Sequence, residues 1–247
     1  MKICLQTKVI SLLLFTPFFV QAGEWSRIDK NVISFSGEIT AGDKASLLKV
    51  IKRTDKKLIL NSDGGDAEEA LRIANTLLPY RLHVIVDGIC ASSCANYLFT
   101  AGSIKEIKNG WVGFHGNLLN IYQESSNKIK TLNDYLKIHS PHIKETLSDK
   151  EVREAYSNYS NSLYHAMVAD YKYFIKVGIK QEFFDLCFKL DKGMNDGKFY
   201  EFLLPTPQTF TKYGFKNVKG QQTFQQENVS YTDEYNNEIN GEKFVYR

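Results

Sequence analysis

Three short segments hold the residues whose types could do chemistry. Asn61-Ser62-Asp63-Gly64-Gly65-Asp66 sets a double glycine behind an apolar run. Such a pair lets the backbone take positive φ and come close to a substrate, with amides aimed at a developing negative charge. Asp87-Gly88-Ile89-Cys90-Ala91-Ser92-Ser93-Cys94-Ala95-Asn96 runs through small residues into an apolar helix, with two serines at the junction. A nucleophilic serine needs its hydroxyl exposed on a tight turn and the next amide free at a helix start, where the dipole favours an oxyanion. Trp111-Val112-Gly113-Phe114-His115-Gly116 closes an apolar strand on a histidine, which at a sheet rim can serve as general base. Singly, each has a plainer explanation: a strand–helix turn, N-capping by Ser92 or Ser93, a structural histidine. Together, between residues 61 and 115, they are the parts of an acyl-transfer site. His83, His139, His142 and His165 stand in strand or polar helical contexts and read as structural or solvated.

These segments need elements to position them. Val32–Ile39 alternates and predicts a strand, and Asp43–Arg53 carries Leu47, Leu48, Val50 and Ile51 on one helical face. Lys57–Leu60 predicts a second strand. Ala67–Leu78 predicts a helix with Asp66 as N-cap and Glu69 completing a capping box. Leu82–Val86 predicts a strand, Ala95–Ala101 a helix and Trp111–Phe114 a strand. This alternation points to parallel strands with covering helices. From about 128 to 190 the pattern is helical. Ser148 and Glu151 open a helix with an expected inner stripe of Val152, Tyr156, Tyr159, Leu163, Met167, Tyr171 and Phe174. Phe199–Leu204 predicts a strand and Thr206–Tyr213 a short helix ending near Gly214. The stretch 219–247 is polar, a tail or an edge strand.

The three segments resemble the Clp-protease/crotonase fold, within it the Clp-type serine peptidases and bacterial signal-peptide peptidases. The matching text is Leu60-Asn61-Ser62-Asp63-Gly64-Gly65, Gly88 through Gly102, and Gly113-Phe114-His115. Leu203-Leu204-Pro205-Thr206-Pro207 with Lys212-Tyr213-Gly214-Phe215 resembles the family's closing strand–helix unit. The similarity covers about 30–118 and 198–218; Asp63 stands where the family usually has proline. It implies an α/β fold with a Clp/crotonase-like core of parallel strands, plus a helical arm. It also implies that a serine attacks a peptide carbonyl while His115 takes its proton. Counting back from Ala101-Gly102 lands on Ser93, and counting forward from Gly88 lands on Ser92. Ser93 is favoured, because packing sets helix length while the preceding turn tolerates insertion. The amides of Gly65 and Cys94 then form the oxyanion hole, with Gly64 at the substrate. Asp196 is nearest by count to the family's aspartate, with Asp191 and Asn195 as rivals. The resemblance implies a peptide or protein substrate, a homo-oligomer and no cofactor. A catalytically inactive Clp-fold scaffold is the alternative, and an acyl-CoA enzyme a third reading.

Composition narrows the setting. The chain has 247 residues, 43% hydrophobic and 24% charged, with net charge +3, so it is too apolar to be disordered. That charge is also far from the basic excess of a dedicated nucleic-acid binder. Residues 1–22 read as a secretory signal peptide: Lys2 and Lys8, an apolar run Val9–Val20, then Val20-Gln21-Ala22 as cleavage site. Removing both lysines leaves +3 − 2 = +1 and a periplasmic protein with no membrane span. Residues 23–218 form the expected domain. Cys90, Cys94 and Cys187 remain; a Cys90–Cys94 bridge and three buried thiols are both open. No cysteine–histidine spacing suits zinc, so no metal is expected.

Overall fold

The structure is a computed structural model and describes residues 23–129, 131, 134, 148–191, 200–223, 237–239 and 242–246. The signal-peptide reading of 1–22 falls outside them. A six-stranded sheet runs in the order β1 (Glu24–Asp29), β2 (Val32–Ser36), β3 (Lys57–Ser62), β4 (His83–Ala91), β5 (Ile104–Gly113), β7 (Val218–Gly220). β1 and β2 form an antiparallel hairpin; every other pairing is parallel. This is the expected α/β core of parallel strands with covering helices.

Register explains which residues lie inside. Phe35, Leu60, Val86 and Ile107 face one another across β2 to β5, all buried. The neighbouring row Ile33–Leu58–Val84 ends on Lys105. Its ammonium is buried and donates to Gly102 O at 2.7 Å and Lys216 O at 3.2 Å. Burial, with Lys216 nearby, lowers its pKa to about 8. Helix α1 (Asp43–Val50) ends earlier than expected, because Ile51 is already extended. Helical spacing predicts a stripe of Ala70, Leu71, Ile73, Ala74, Leu77 and Leu78; α2 (Ala67–Leu77) buries the first five, and Leu78, past its end, is half-buried. Asp66 caps it through Glu69 N at 2.9 Å, but the Glu69 carboxylate does not return to Asp66. It accepts instead from Gly42 N and Lys44 N, capping α1.

β4 runs on past its predicted end at Val86 to Ala91, and β5 starts at Ile104, well before its predicted start at Trp111; the two pair from Asp87↔Asn109 to Ala91↔Gly113 after a register shift. The extension rests on Gly110: at φ +117, a Cβ there would stand 1.7 Å from Gly88 O. It carries both strands out to the turn that holds Ser92.

A π-helix, Cys94–Phe99, follows that turn, and α3 (Leu118–Lys128) follows β5. The arm helix α4 (Asp149–Val177) opens on the expected Ser148/Glu151 capping box. Its buried face differs from the predicted stripe. Tyr171 is 51% exposed, while Ala166, Asp170, Tyr173 and Phe174 are buried. Val152, Tyr156 and Tyr159 pack with Ile129 in a separate cluster, so only the C-terminal half of the arm meets the main core. Asp170 accepts from Tyr97 Oη at 2.8 Å and from Leu119 N at 3.3 Å. Burial pushes its carboxyl up to about 7 against these two bonds.

After α5 (Gln181–Asp191), β6 (Tyr200–Leu204) and α6 (Pro207–Lys212) form the closing unit. β6 meets the main sheet at Phe114 and Leu203, whose amides and carbonyls pair at 2.9 and 2.8 Å. It also pairs with β9 (Glu242–Tyr246), which pairs with β8 (Asn237–Ile239). The described part of the polar tail thus includes strands that join the fold.

Candidate active site

The three chemistry-bearing segments meet at the C-terminal ends of β3, β4 and β5, the edge where open parallel sheets place their sites. Ser62 pairs with Cys90, and Ala91 with Gly113, which brings the double glycine, the serines and the histidine together. Ser92 takes φ +54, a left-handed conformation that non-glycine residues adopt only when the surroundings impose it. Its amide donates to Gly113 O at 3.0 Å, and the chain enters the helix at once. This is a strained strand–turn–helix elbow, the geometry that presents a nucleophile.

Ser92 Oγ lies 2.6 Å from His115 Nε2. On the other side of the ring, Nδ1 lies 2.7 Å from Gly116 O. A carbonyl only accepts, so Nδ1 carries the hydrogen and Nε2 accepts from Ser92. The ring also packs 5.9 Å from Phe202. This arrangement can deprotonate a hydroxyl as it attacks a carbonyl.

Ser93, the residue favoured by helix length, is turned away. It is 3% exposed and its hydroxyl donates to Gly65 O at 2.9 Å. The reason is the left-handed residue before it: the turn at Ser92 sends successive side chains to opposite sides. Helix length does not decide the matter, because the π-helix begins only after the elbow. The amide that follows the hydroxyl facing His115 is therefore that of Ser93, not Cys94.

The glycine loop lies directly against this amide. A Cβ on Gly64, at φ +104, would stand 2.7 Å from Ser92 Cβ and 2.9 Å from Ser93 N. The peptide groups of Gly64 are already used, N–H on Ser62 Oγ and C=O on Ile39 N, so its contribution is close approach rather than substrate contact. The amides of Gly65 and Ser93 have no acceptor among the described residues. Amides left open in this way can donate to an oxyanion. The Cys94 side chain is bonded to Cys90, closing a ring of backbone around both serines, while Cys187 is buried and outside this bond.

Asp196 and Asn195 lie outside the described residues, and Asp191 is the last residue of α5. The loop after His115 is held by a polar network that sequence reading missed. Asn117 caps α3 and bonds Gln181 at 2.9 Å; Asn120 bonds Asp185 at 2.8 Å. Asn96 Nδ2 donates to Gly116 O at 3.3 Å. Its position one turn after Ser92 was the available signal.

A groove of about 460 Å³ is lined by Asn61, Asp87, Ile89, Asn109 and Trp111 among others. Phe202 links it to the dyad, with ring centroids 5.8 Å from Trp111 and 5.9 Å from His115. Among the described residues no group of three His, Cys, Asp or Glu could hold a metal ion, and no helix is long and apolar enough to cross a membrane. His83 stands at the far end of β4, beside Glu106 at 2.9 Å, and His165 lies on the arm; His139 and His142 fall outside the described residues.

No family model and no curated protein matches the chain. Among solved structures, an enoyl-CoA hydratase from Shewanella pealeana ATCC 700345 aligns over 68% of this chain and 86% of its own. The identity is 10% and the TM-score 0.30. A likeness this loose says nothing of what the chain binds or does.

Proposed function

We propose that this chain is a serine hydrolase that cleaves peptide bonds with Ser92 as nucleophile and His115 as base. One observation carries the reading: a left-handed Ser92 whose hydroxyl sits 2.6 Å from His115 Nε2. The Ser92 proton passes to Nε2 as Oγ adds to the carbonyl carbon. The new oxyanion takes hydrogen bonds from the amides of Gly65 and Ser93, each worth about 10²–10³ in rate. The tetrahedral species then collapses, and His115 hands the proton to the leaving amine. Water, deprotonated by His115, hydrolyses the acyl-enzyme and restores Ser92. The groove along Ile89 and Trp111 offers an apolar floor with amide and carboxylate rims, suited to an extended peptide.

The working compartment is proposed to be the periplasm, reached through the signal peptide 1–22. The Cys90–Cys94 bond supports this, since such bonds persist in oxidising surroundings.

A fluorophosphonate probe tests the reaction. Labelling of the purified protein is expected, lost in Ser92→Ala and in His115→Ala. Absence of labelling in the native protein, or labelling that survives Ser92→Ala, contradicts the proposal.

A further inference from the structure

We infer that Asn96 is a positioning residue for His115, acting through the main-chain carbonyl of Gly116. The inference rests on the Ser92–His115 reading above. Gly116 O receives two hydrogen bonds, from His115 Nδ1 at 2.7 Å and from Asn96 Nδ2 at 3.3 Å. These match the two lone pairs of a carbonyl oxygen. Asn96 also donates its own amide to Ser92 O at 2.9 Å. One residue therefore ties the elbow that carries the serine to the loop that carries the histidine.

The burial of Asn96 gives the link its significance. The residue is 2% exposed, yet Oδ1 has no partner among the described residues. A buried amide with an unused acceptor is a poor core residue, and leucine would fill the space without that cost. The donor end accounts for an amide here. Its surroundings keep it in place: Thr100 Oγ1 donates to Asn96 O at 2.6 Å and fixes this turn of the helix. On the other side, Gly116 is hemmed in by Phe188 and Asn120, which a Cβ would meet at 2.9 and 3.2 Å.

The chemical consequence follows from where charge develops. As His115 takes the serine proton, the imidazolium pulls harder on its Nδ1–H acceptor. A carbonyl already fixed by Asn96 meets that charge without moving, and holds Nε2 on Ser92. Gly116 O thus serves as an orienting group for the histidine.

Asn96→Leu, which keeps the branched shape and removes the donor, tests this, with Asn96→Ala as a smaller second variant. The fluorophosphonate labelling rate is expected to fall 10- to 100-fold while the unfolding temperature stays within a few degrees of native. The acid limb of its pH profile is expected to move to lower pH, because the imidazolium loses its fixed acceptor. In ¹⁵N-labelled native protein, His115 is expected as the Nδ1–H tautomer with a slowly exchanging proton, and exchange quickens in both variants. Labelling within twofold of native in the folded variants, or an unchanged Nδ1–H signal, overturns the inference. If the native protein fails to label, the hydrolase reading falls. The imidazole signal then still decides whether Asn96 holds the Gly116–His115 bond.

Discussion

The hydroxyls of Ser92 and Ser93, adjacent in the chain, serve opposite partners: His115 Nε2 at 2.6 Å for Ser92 and Gly65 O at 2.9 Å for Ser93. Ser93 thereby fastens the glycine loop to the elbow. Ser93→Ala is expected to keep fluorophosphonate labelling at a rate 2- to 10-fold below native and to lose about 1 kcal/mol of stability. Complete loss of labelling in a folded Ser93→Ala protein would return the nucleophile to Ser93.

Gly64 tests how tightly that loop is set. Its φ of +104 and the 2.7 Å between an added Cβ and Ser92 Cβ leave no space for alanine. Gly64→Ala is expected to cost about 2 kcal/mol or more in urea unfolding and to bring labelling below about 1% of native. A native rate would show that the loop yields, and that it is not a rigid wall of the site.

The Cys90–Cys94 bond closes a five-residue loop around the elbow. Loop-closure entropy for that length amounts to about 2 kcal/mol. Cys90→Ala with Cys94→Ala is expected to lower stability by about that much. It should also slow labelling at least fivefold, because the strained Ser92 loses its outer clamp. Calorimetry and labelling on one preparation separate the two effects; undiminished labelling would limit the bond to a structural role.

Asp170 sets a pH dependence on the arm. Its carboxyl titrates near 7 in the fold against an ordinary value of 3.8, so the folded chain holds the proton more tightly than the unfolded chain. This contribution to stability is complete below about pH 4 and is lost as pH rises through about 7, by no more than about 4 kcal/mol. Asp170→Asn is expected to flatten this part of the curve. The check is the difference in urea midpoints between the two proteins at pH 4, 5.5 and 7; parallel curves would refute it.

Much of the frame was legible because it follows from local chemistry. Apolar alternation over Val32–Ser36, the stripe of α2, the Asp66 cap and the Ser148/Glu151 box arise from residues close in sequence, and the structure contains them. The stripe of α4 was legible only in part. Beyond its first turns, the buried positions depend on where Tyr97 and α3 meet the arm, and Asp170 occupies a position that apolar periodicity does not count. β4 outran its predicted end, and β5 began before its predicted start, because each supplies the other's hydrogen bonds, a pairing between distant segments.

By itself the sequence determined which residues could take part: a double glycine, two serines at a strand–helix junction, and a histidine ending the next strand. Tertiary structure alone decided which serine faces His115. The choice turns on one backbone dihedral, φ +54 at Ser92, imposed by the neighbouring strand and the glycine loop. It also supplied the partner of His115 Nδ1. Gly116 O is a main-chain atom, which every residue possesses, so side-chain identity cannot signal it; only folding gives it a position.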